Sequence, residues 1–236
     1  MVTRLARGAP AAPSAEQRES RTAPLLVSWT RVGAACGFVA GASYALALAA
    51  PAISALGVIA ASVFGRALVA FSAGLYHVLR ARRRTVTLDL ALMANVAAGV
   101  TVTLMIFSQL GLNQWFELQF GTGSTDSSER ALRAGFEAAN GIQLGLDVAW
   151  DLFFALGVVL LAWNMWRHPR FGRLLAASGL AIAVTFIVLN LTAFPEPPGH
   201  SGSIDLGPVI GLWYLIVTIR LAMSGRWAAA HEATDT

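Results

Sequence analysis

The sequence predicts an all-α integral membrane bundle of six transmembrane helices with both termini in the cytoplasm. Of its 236 residues, 56% are apolar and only 13% are charged, whereas a soluble domain carries about 25% charged residues. The mean hydropathy is +0.61. Six apolar runs are each long enough to cross a hydrocarbon core, which takes about 20 helical residues. These observations exclude an ordinary soluble domain and a wholly disordered chain.

The predicted elements begin with a polar tail. Residues 1–24 are rich in Ala, Pro, Ser, Arg and Glu, and they predict a disordered cytoplasmic segment without a secretory signal. The transmembrane domain is predicted over 25–226, and residues 227–236 form a second cytoplasmic tail. The six spans are predicted at about 32–50, 57–79, 88–111, 142–165, 173–194 and 206–223. Pro51, Pro169 and Pro195 follow three of these spans, because proline lacks the N–H that would continue a helix.

The arginine distribution predicts the orientation. All 17 basic residues are Arg, and 14 of them lie in the N-terminal tail, at the C-terminal end or in the loops after spans 2 and 4. Because short cytoplasmic loops carry the excess of basic residues, both termini are predicted to be cytoplasmic, in the inner membrane of a bacterium. The net charge of +4 then reflects topology, and we expect no nucleic-acid partner.

One long outer loop is predicted at 112–141. Its first half contains the Gly- and Ser-rich segment 121–125, which predicts a turn. Its second half predicts a helix, because Asp126 and Glu129 have the spacing of a capping box and Arg133 follows Glu129 at i,i+4. This helix either lies on the membrane surface or continues into span 4.

Small residues mark one face of span 1. Every fourth residue is Gly or Ala: Gly33, Gly37, Gly41, Ala45 and Ala49. Such a face lets another helix backbone approach closely, so we interpret it as a packing surface. The single Cys36 excludes an intrachain disulfide and leaves no Cys/His zinc pattern.

Polar side chains inside the apolar spans are the candidate site residues. Gln143, Asp147 and Asp151 share one face of span 4, and an ionised Asp near the centre of a span costs about 2.5–3.5 kcal/mol. A helix rises 1.5 Å per residue, so residue counts from the cytoplasmic arginines give the height of each side chain along its span. Four side chains fall in one layer, roughly 20–25 Å above the level of those arginines. They are Tyr44, Arg66, Asp151 and Asn190. We expect a buried Arg66–Asp151 ion pair, satisfied further by Tyr44 and Asn190.

Three functions remain open for this layer. It could form the base of a polar cavity whose walls include Gln143 and Asp147. The protein would then be a transporter or binding module for a small polar solute or a proton. A proton is considered because two nearby carboxylates readily share one. It could be a structural clamp, in a regulatory membrane protein whose tail or Arg-rich loops bind a partner or anionic lipid. Less favoured is a metal-dependent membrane enzyme using Asp147 and Asp151, because a second acid-rich motif is missing. No cofactor, resident metal or catalytic residue is expected.

Three short stretches carry a family resemblance. They are Gly145-Leu-Asp-Val-Ala-Trp-Asp151, Arg167-His-Pro-Arg-Phe-Gly172 and the following Ala-Ser-Gly179. Over about residues 140–223 the chain resembles the back half of small bacterial multi-span membrane proteins from domain-of-unknown-function families. Those families show a helix with early polar residues, a short basic Pro-Gly turn and a Gly-rich helix. The resemblance implies a class of membrane protein and no particular chemistry.

Overall fold

Seven α-helices make up the part of the chain that the computed structural model describes, residues 15–49, 54–120, 126–195, 204 and 206–234. The all-α class is confirmed for these residues. The helices are α1 (Ala15–Ala49), α2 (Ala55–Arg82), α3 (Val86–Phe120), α4 (Asp126–Met165), α5 (Gly172–Ala193), α6 (Gly207–Ala222) and α7 (Gly225–Thr234).

Four helices in the described part of the chain are long and apolar enough to cross a membrane. They are Ala55–Arg82, Val86–Gln119, Glu129–Met165 and Gly172–Ala193, which correspond to the second to fifth predicted spans. The apolar α6 has only 16 residues and is therefore about 24 Å long at 1.5 Å per residue. The six-span count and the cytoplasmic location of the termini stay predictions.

Apolar side chains cover the outside of the bundle as well as its core. Leu174 is 86% exposed, Ile142 71% and Met93 67%, and each belongs to a helix of membrane-spanning length. Leu75 on α2, by contrast, is fully buried. A helix that is hydrophobic on its outer face requires an apolar environment there, so this surface suits contact with lipid chains.

Each helix packs against particular neighbours in the bundle. α2 packs between α1 and α3, α4 packs against α3 and α5, and α1 also contacts α6 and α7. One continuous core of buried residues joins α2, α3, α4, α5 and α6. The turn before α5 ends at Gly172, whose φ of 76° is a left-handed conformation that glycine adopts without a steric penalty.

Both predicted tails contain helix. α1 begins at Ala15, so residues 15–24 are helical, whereas residues 1–14 lie outside the described part of the chain. Ala, Glu, Gln and Arg dominate the start of this segment and are good helix formers. Residues 227–234 belong to α7, where Ala228 is fully buried and the Trp227 ring lies 4.9 Å from that of His168. This C-terminal segment is therefore part of the bundle.

The predicted outer loop is largely helical. α3 continues past residue 111 to Phe120, because Trp115, Phe116 and Leu118 keep the sequence apolar. The predicted turn at 121–125 lies outside the described residues. The helix predicted for the second half of the loop is present and continues directly into span 4, since α4 is unbroken from Asp126 to Met165. Arg133 Nη2 lies 2.8 Å from Glu129 Oε1, as the i,i+4 spacing predicts.

Candidate functional site

α1 and α6 form the two sides of a wedge. At the narrow end, a Cβ on Gly33 would come within 2.7 Å of the Gly74 Cα and 3.2 Å of Leu221 Cδ2. One turn further, a Cβ on Gly37 would lie 2.5 Å from Thr218 Oγ1. A Cβ on Gly41 would meet nothing within 4 Å. The glycine face therefore packs tightly at Gly33 and Gly37, as predicted, and then faces open space at Gly41.

The space inside the wedge is a cavity of about 490 Å³. Gly41 and Ala45 line it from α1, and Gly211 and Leu215 line it from α6. The described lining residues include no carboxylate, histidine or cysteine. The volume lies within the range of about 300–1,000 Å³ that is usual for small-molecule sites, which are also mostly apolar.

Aromatic rings form the inner wall of this cavity. Along the wall, the ring centroids of Tyr44 and Phe64 are 5.6 Å apart, those of Phe64 and Trp150 6.3 Å, and those of Trp150 and Phe154 5.5 Å. Phe154 then stacks on Tyr214 at 4.8 Å with 16° between the planes. Phe71 completes the wall, 5.4 Å from Tyr214. We call these six residues the aromatic wall: Tyr44, Phe64, Phe71, Trp150, Phe154 and Tyr214.

Few polar atoms belong to the cavity lining. The Thr218 hydroxyl donates to the Tyr214 backbone carbonyl at 2.8 Å, and the Tyr214 hydroxyl donates to Asn95 Oδ1 at 2.9 Å. The indole N–H of Trp150 is buried and has no hydrogen-bond partner among the described residues. A buried donor without an acceptor is costly and uncommon in native proteins, and this nitrogen is enclosed by neighbouring residues rather than exposed to the cavity.

Asn95 is the buried polar residue that the sequence interpretation missed. It is fully buried on α3, donates from Nδ2 to the Ala91 carbonyl at 2.8 Å and accepts from Tyr214 on α6. Gly157 on α4 lies so close to the Asn95 amide that a Cβ there would clash. A polar residue in the middle of span 3 was the available signal, by the same rule that selected Asn190.

Arg66 does not lie in a buried layer. It is exposed on α2, and its guanidinium donates to the Ser62 carbonyl one turn away on the same helix. That contact draws the charge toward the N-terminal end of α2, away from Arg80, as long cationic side chains do near the edge of a membrane. The prediction that Arg66 is buried is wrong, because residue counting fixes depth but not the direction around the helix. The Arg66–Asp151 ion pair itself stays a prediction.

The other predicted residues separate into two groups. Asp151 and Gln143 on α4 are each 5% exposed, and Asn190 on α5 is fully buried, whereas Asp147 is half-buried. Asn190 Nδ2 donates to the Phe186 carbonyl at 3.1 Å, and Asn190 Oδ1 has no partner among the described residues. Tyr44 is the one predicted residue that lines the cavity.

Asp151 and Asn190 nevertheless lie close to the cavity along the chain. Asp151 follows Trp150, and Asn190 is one turn beyond Phe186; both of these neighbours line the cavity. No group of three His, Cys, Asp or Glu side chains among the described residues could hold a metal ion.

The fold and this site define a class. Four helices of membrane-spanning length with an apolar outer surface, among the described residues, indicate a helical membrane protein. Comparisons of the chain with models of known protein families, with curated proteins and with solved structures find no match.

Proposed function

We propose that the protein is a multi-span inner-membrane protein of bacteria that binds a small membrane-soluble molecule in the wedge between α1 and α6. The observation that carries this proposal is the cavity of about 490 Å³ with its aromatic wall. An apolar molecule from the bilayer that enters this space gains dispersion contacts with the apolar walls on both sides.

The lining defines the chemistry of the occupant. Stacked rings at Trp150, Phe154 and Tyr214 favour an unsaturated or aromatic partner, because ring pairs add about 0.5–1.5 kcal/mol beyond the area that they bury. The ligand class that fits is therefore an apolar, unsaturated or aromatic molecule, in place of the small polar solute or proton that was one of the alternatives left open by the sequence.

The shape of the wedge favours binding over passage. Gly37 packs against Phe71 and Thr218, so the cavity is closed at its narrow end. A transporter in this conformation would need α1 and α6 to separate there. Proton-coupled transport through Asp147 and Asp151 would require the same separation of the helices. Neither carboxylate is among the described residues that line the cavity. A binding module accounts for the geometry without that movement.

Photolabelling with benzophenone tests the proposal, because this aromatic ketone has the proposed chemistry and inserts into nearby C–H bonds under light. Labelled peptides of the full-length protein in lipid nanodiscs are mapped by mass spectrometry. We expect labels to concentrate at 38–45 and 207–215. Gly41→Leu places a side chain in the wedge and should reduce those labels about tenfold, the equivalent of ~1.4 kcal/mol of binding.

Gly145→Leu is the matched control. A Cβ at Gly145 also meets nothing within 4 Å, and Gly145 does not line the cavity, so this variant should label as the wild type does. Labels spread evenly over the apolar outer surface, or an equal loss in both variants, would contradict a binding site in the wedge.

A further inference from the structure

A second cavity lies at the arginine-rich end of the bundle, where α2 turns into α3 and α4 ends. It measures about 1190 Å³. Arg82 and Arg83 line it from the α2–α3 connection and Arg167 from the turn after α4. Among the described residues that line it there is no carboxylate. We call this space the basic cleft.

Three arginines at this end are engaged by contacts within the protein and lie outside the cleft. Arg80 lies over the Tyr76 ring at 5.8 Å, Arg84 Nε lies 3.9 Å from Asp89 Oδ2, and Arg170 Nη2 donates to the Met223 carbonyl at 2.8 Å. These three are occupied by contacts within the protein. None of them lines the basic cleft.

The three arginines of the cleft have a different environment. Arg82, Arg83 and Arg167 are exposed, and no described residue supplies their guanidinium groups with a carboxylate or hydrogen-bond partner. Three guanidinium groups around one space without an acid create a strong positive potential. Guanidinium binds phosphate through paired N–H donors.

The floor of the cleft is polar and held in place. Thr85 Oγ1 donates to Asn164 Oδ1 at 2.7 Å, and Asn164 Nδ2 donates to Thr87 Oγ1 at 3.2 Å and to the Leu160 carbonyl at 2.7 Å. This network joins α3 to α4 beneath the arginines. The donors of Thr85 and Asn164 are engaged within this network, and the threonine oxygens can still accept a hydrogen bond from a headgroup hydroxyl.

Two tryptophans give the cleft its level in the membrane. Trp163 is 65% exposed and Trp166 38% exposed, and both line the cleft at the end of a helix of membrane-spanning length. Exposed tryptophans of spanning helices lie at the boundary between headgroups and acyl chains. The cleft therefore opens at headgroup depth beside an apolar surface, which includes Val86 at 74% exposure.

We propose that the basic cleft binds the phosphate-bearing headgroup of an anionic phospholipid from the adjacent leaflet. Arg82, Arg83 and Arg167 bind the phosphate, the Thr85–Asn164 network contacts the polar headgroup, and Trp163 borders the glycerol and acyl chains. Basic pockets between spanning helices bind anionic lipid headgroups in this manner. The site is separate from the wedge cavity, and the proposal does not depend on the ligand proposed there.

Native mass spectrometry of the full-length protein tests the proposal, with dioleoyl phosphatidylglycerol as the probe and dioleoyl phosphatidylcholine as the neutral comparison. We expect one phosphatidylglycerol to bind with a preference of at least about tenfold. The triple variant Arg82→Gln, Arg83→Gln, Arg167→Gln should lose that preference. The charge-matched triple variant Arg173→Gln, Arg220→Gln, Arg226→Gln changes exposed arginines that do not line the cleft and should keep it.

Three outcomes would overturn the proposal. Equal binding of the two lipids would show that lipid charge has no role. Equal losses of the preference in both triple variants would show that it depends on the net charge of the protein and not on the cleft. Displacement of phosphatidylglycerol by equimolar inorganic phosphate would indicate a soluble anion as the ligand. If the cleft triple variant fails to fold, the single variant Arg167→Gln is measured instead, because Arg167 is exposed after the end of α4. This substitution should reduce the preference for phosphatidylglycerol about fivefold.

Discussion

Two glycines on the same face of α1 should respond in opposite ways to alanine. Gly33 packs against the backbone of Gly74, whereas Gly41 faces the wedge cavity. The perturbation is therefore a pair of identical substitutions, Gly33→Ala and Gly41→Ala, eight residues apart in one helix. Because the chemistry is the same, any difference between the variants reports the surroundings of each position.

The structure gives the expected magnitude. A Cβ on Gly33 would be 2.7 Å from the Gly74 Cα, whereas carbon atoms in contact are about 3.5–4.0 Å apart. α1 and α2 must then separate by about 1 Å, and overpacking of this kind costs about 1–3 kcal/mol. At both positions alanine gains about 0.5–1 kcal/mol over glycine within a helix. Gly41→Ala should show that gain alone, and Gly33→Ala should show a net loss.

Thermal unfolding in detergent, followed by far-UV circular dichroism, is the assay. For a chain of this size 1 kcal/mol corresponds to a Tm shift of about 2–4 °C. Gly33→Ala should unfold below the wild type and Gly41→Ala at or above it. With overpacking of about 2 kcal/mol, the two Tm values should differ by roughly 4–8 °C.

Two results would refute the reasoning. If Gly41→Ala lowers the Tm as much as Gly33→Ala, another helix packs at Gly41 and the wedge does not exist. If neither variant changes the Tm, the close approach of α1 to Gly74 on α2 is not a feature of the folded protein.

Two further predictions concern polar side chains of the spanning and apolar helices. Tyr214→Phe removes the hydroxyl bonded to buried Asn95 and should lower the free energy of unfolding by about 1–3 kcal/mol, measured by denaturation in mixed micelles; an unchanged value would contradict the α3–α6 hydrogen bond. Arg66→Leu removes an exposed side chain bonded to its own helix and should change stability by less than about 0.5 kcal/mol. A loss of about 3–5 kcal/mol would instead establish the buried ion pair with Asp151.

The elements could be predicted because their signals are local. Each apolar run has its own length and composition, so the second to fifth spans are apparent from the sequence and correspond to α2 to α5. The helix across 126–141 was also predictable, from its capping spacing and from the pair Glu129 and Arg133. α3 extends beyond the predicted span 88–111 to Phe120, because apolar residues continue past Gly111.

The site was harder to predict because it depends on rotation about helix axes. Counting residues gives the depth of Arg66 and Asn190 but not the side of the helix that faces a neighbour. Asn190 is buried and Arg66 is exposed, although the same count places both at similar depth. The glycine face of α1 predicted a close contact, but the point where the contact ends at Gly41 depends on where α6 lies. Asn95 was within reach of the sequence rule and was overlooked.

The most direct test of the account is to analyse what the protein carries from its own membrane. The wild type and the variants Gly41→Leu and Gly145→Leu are purified from bacterial membranes and extracted with organic solvent. The extracts are compared by mass spectrometry, with the amount of protein as reference. The account predicts an unsaturated or aromatic apolar compound that is enriched with the wild type and Gly145→Leu and is lost from Gly41→Leu. The same compounds in equal amounts with all three proteins would contradict a ligand site between α1 and α6.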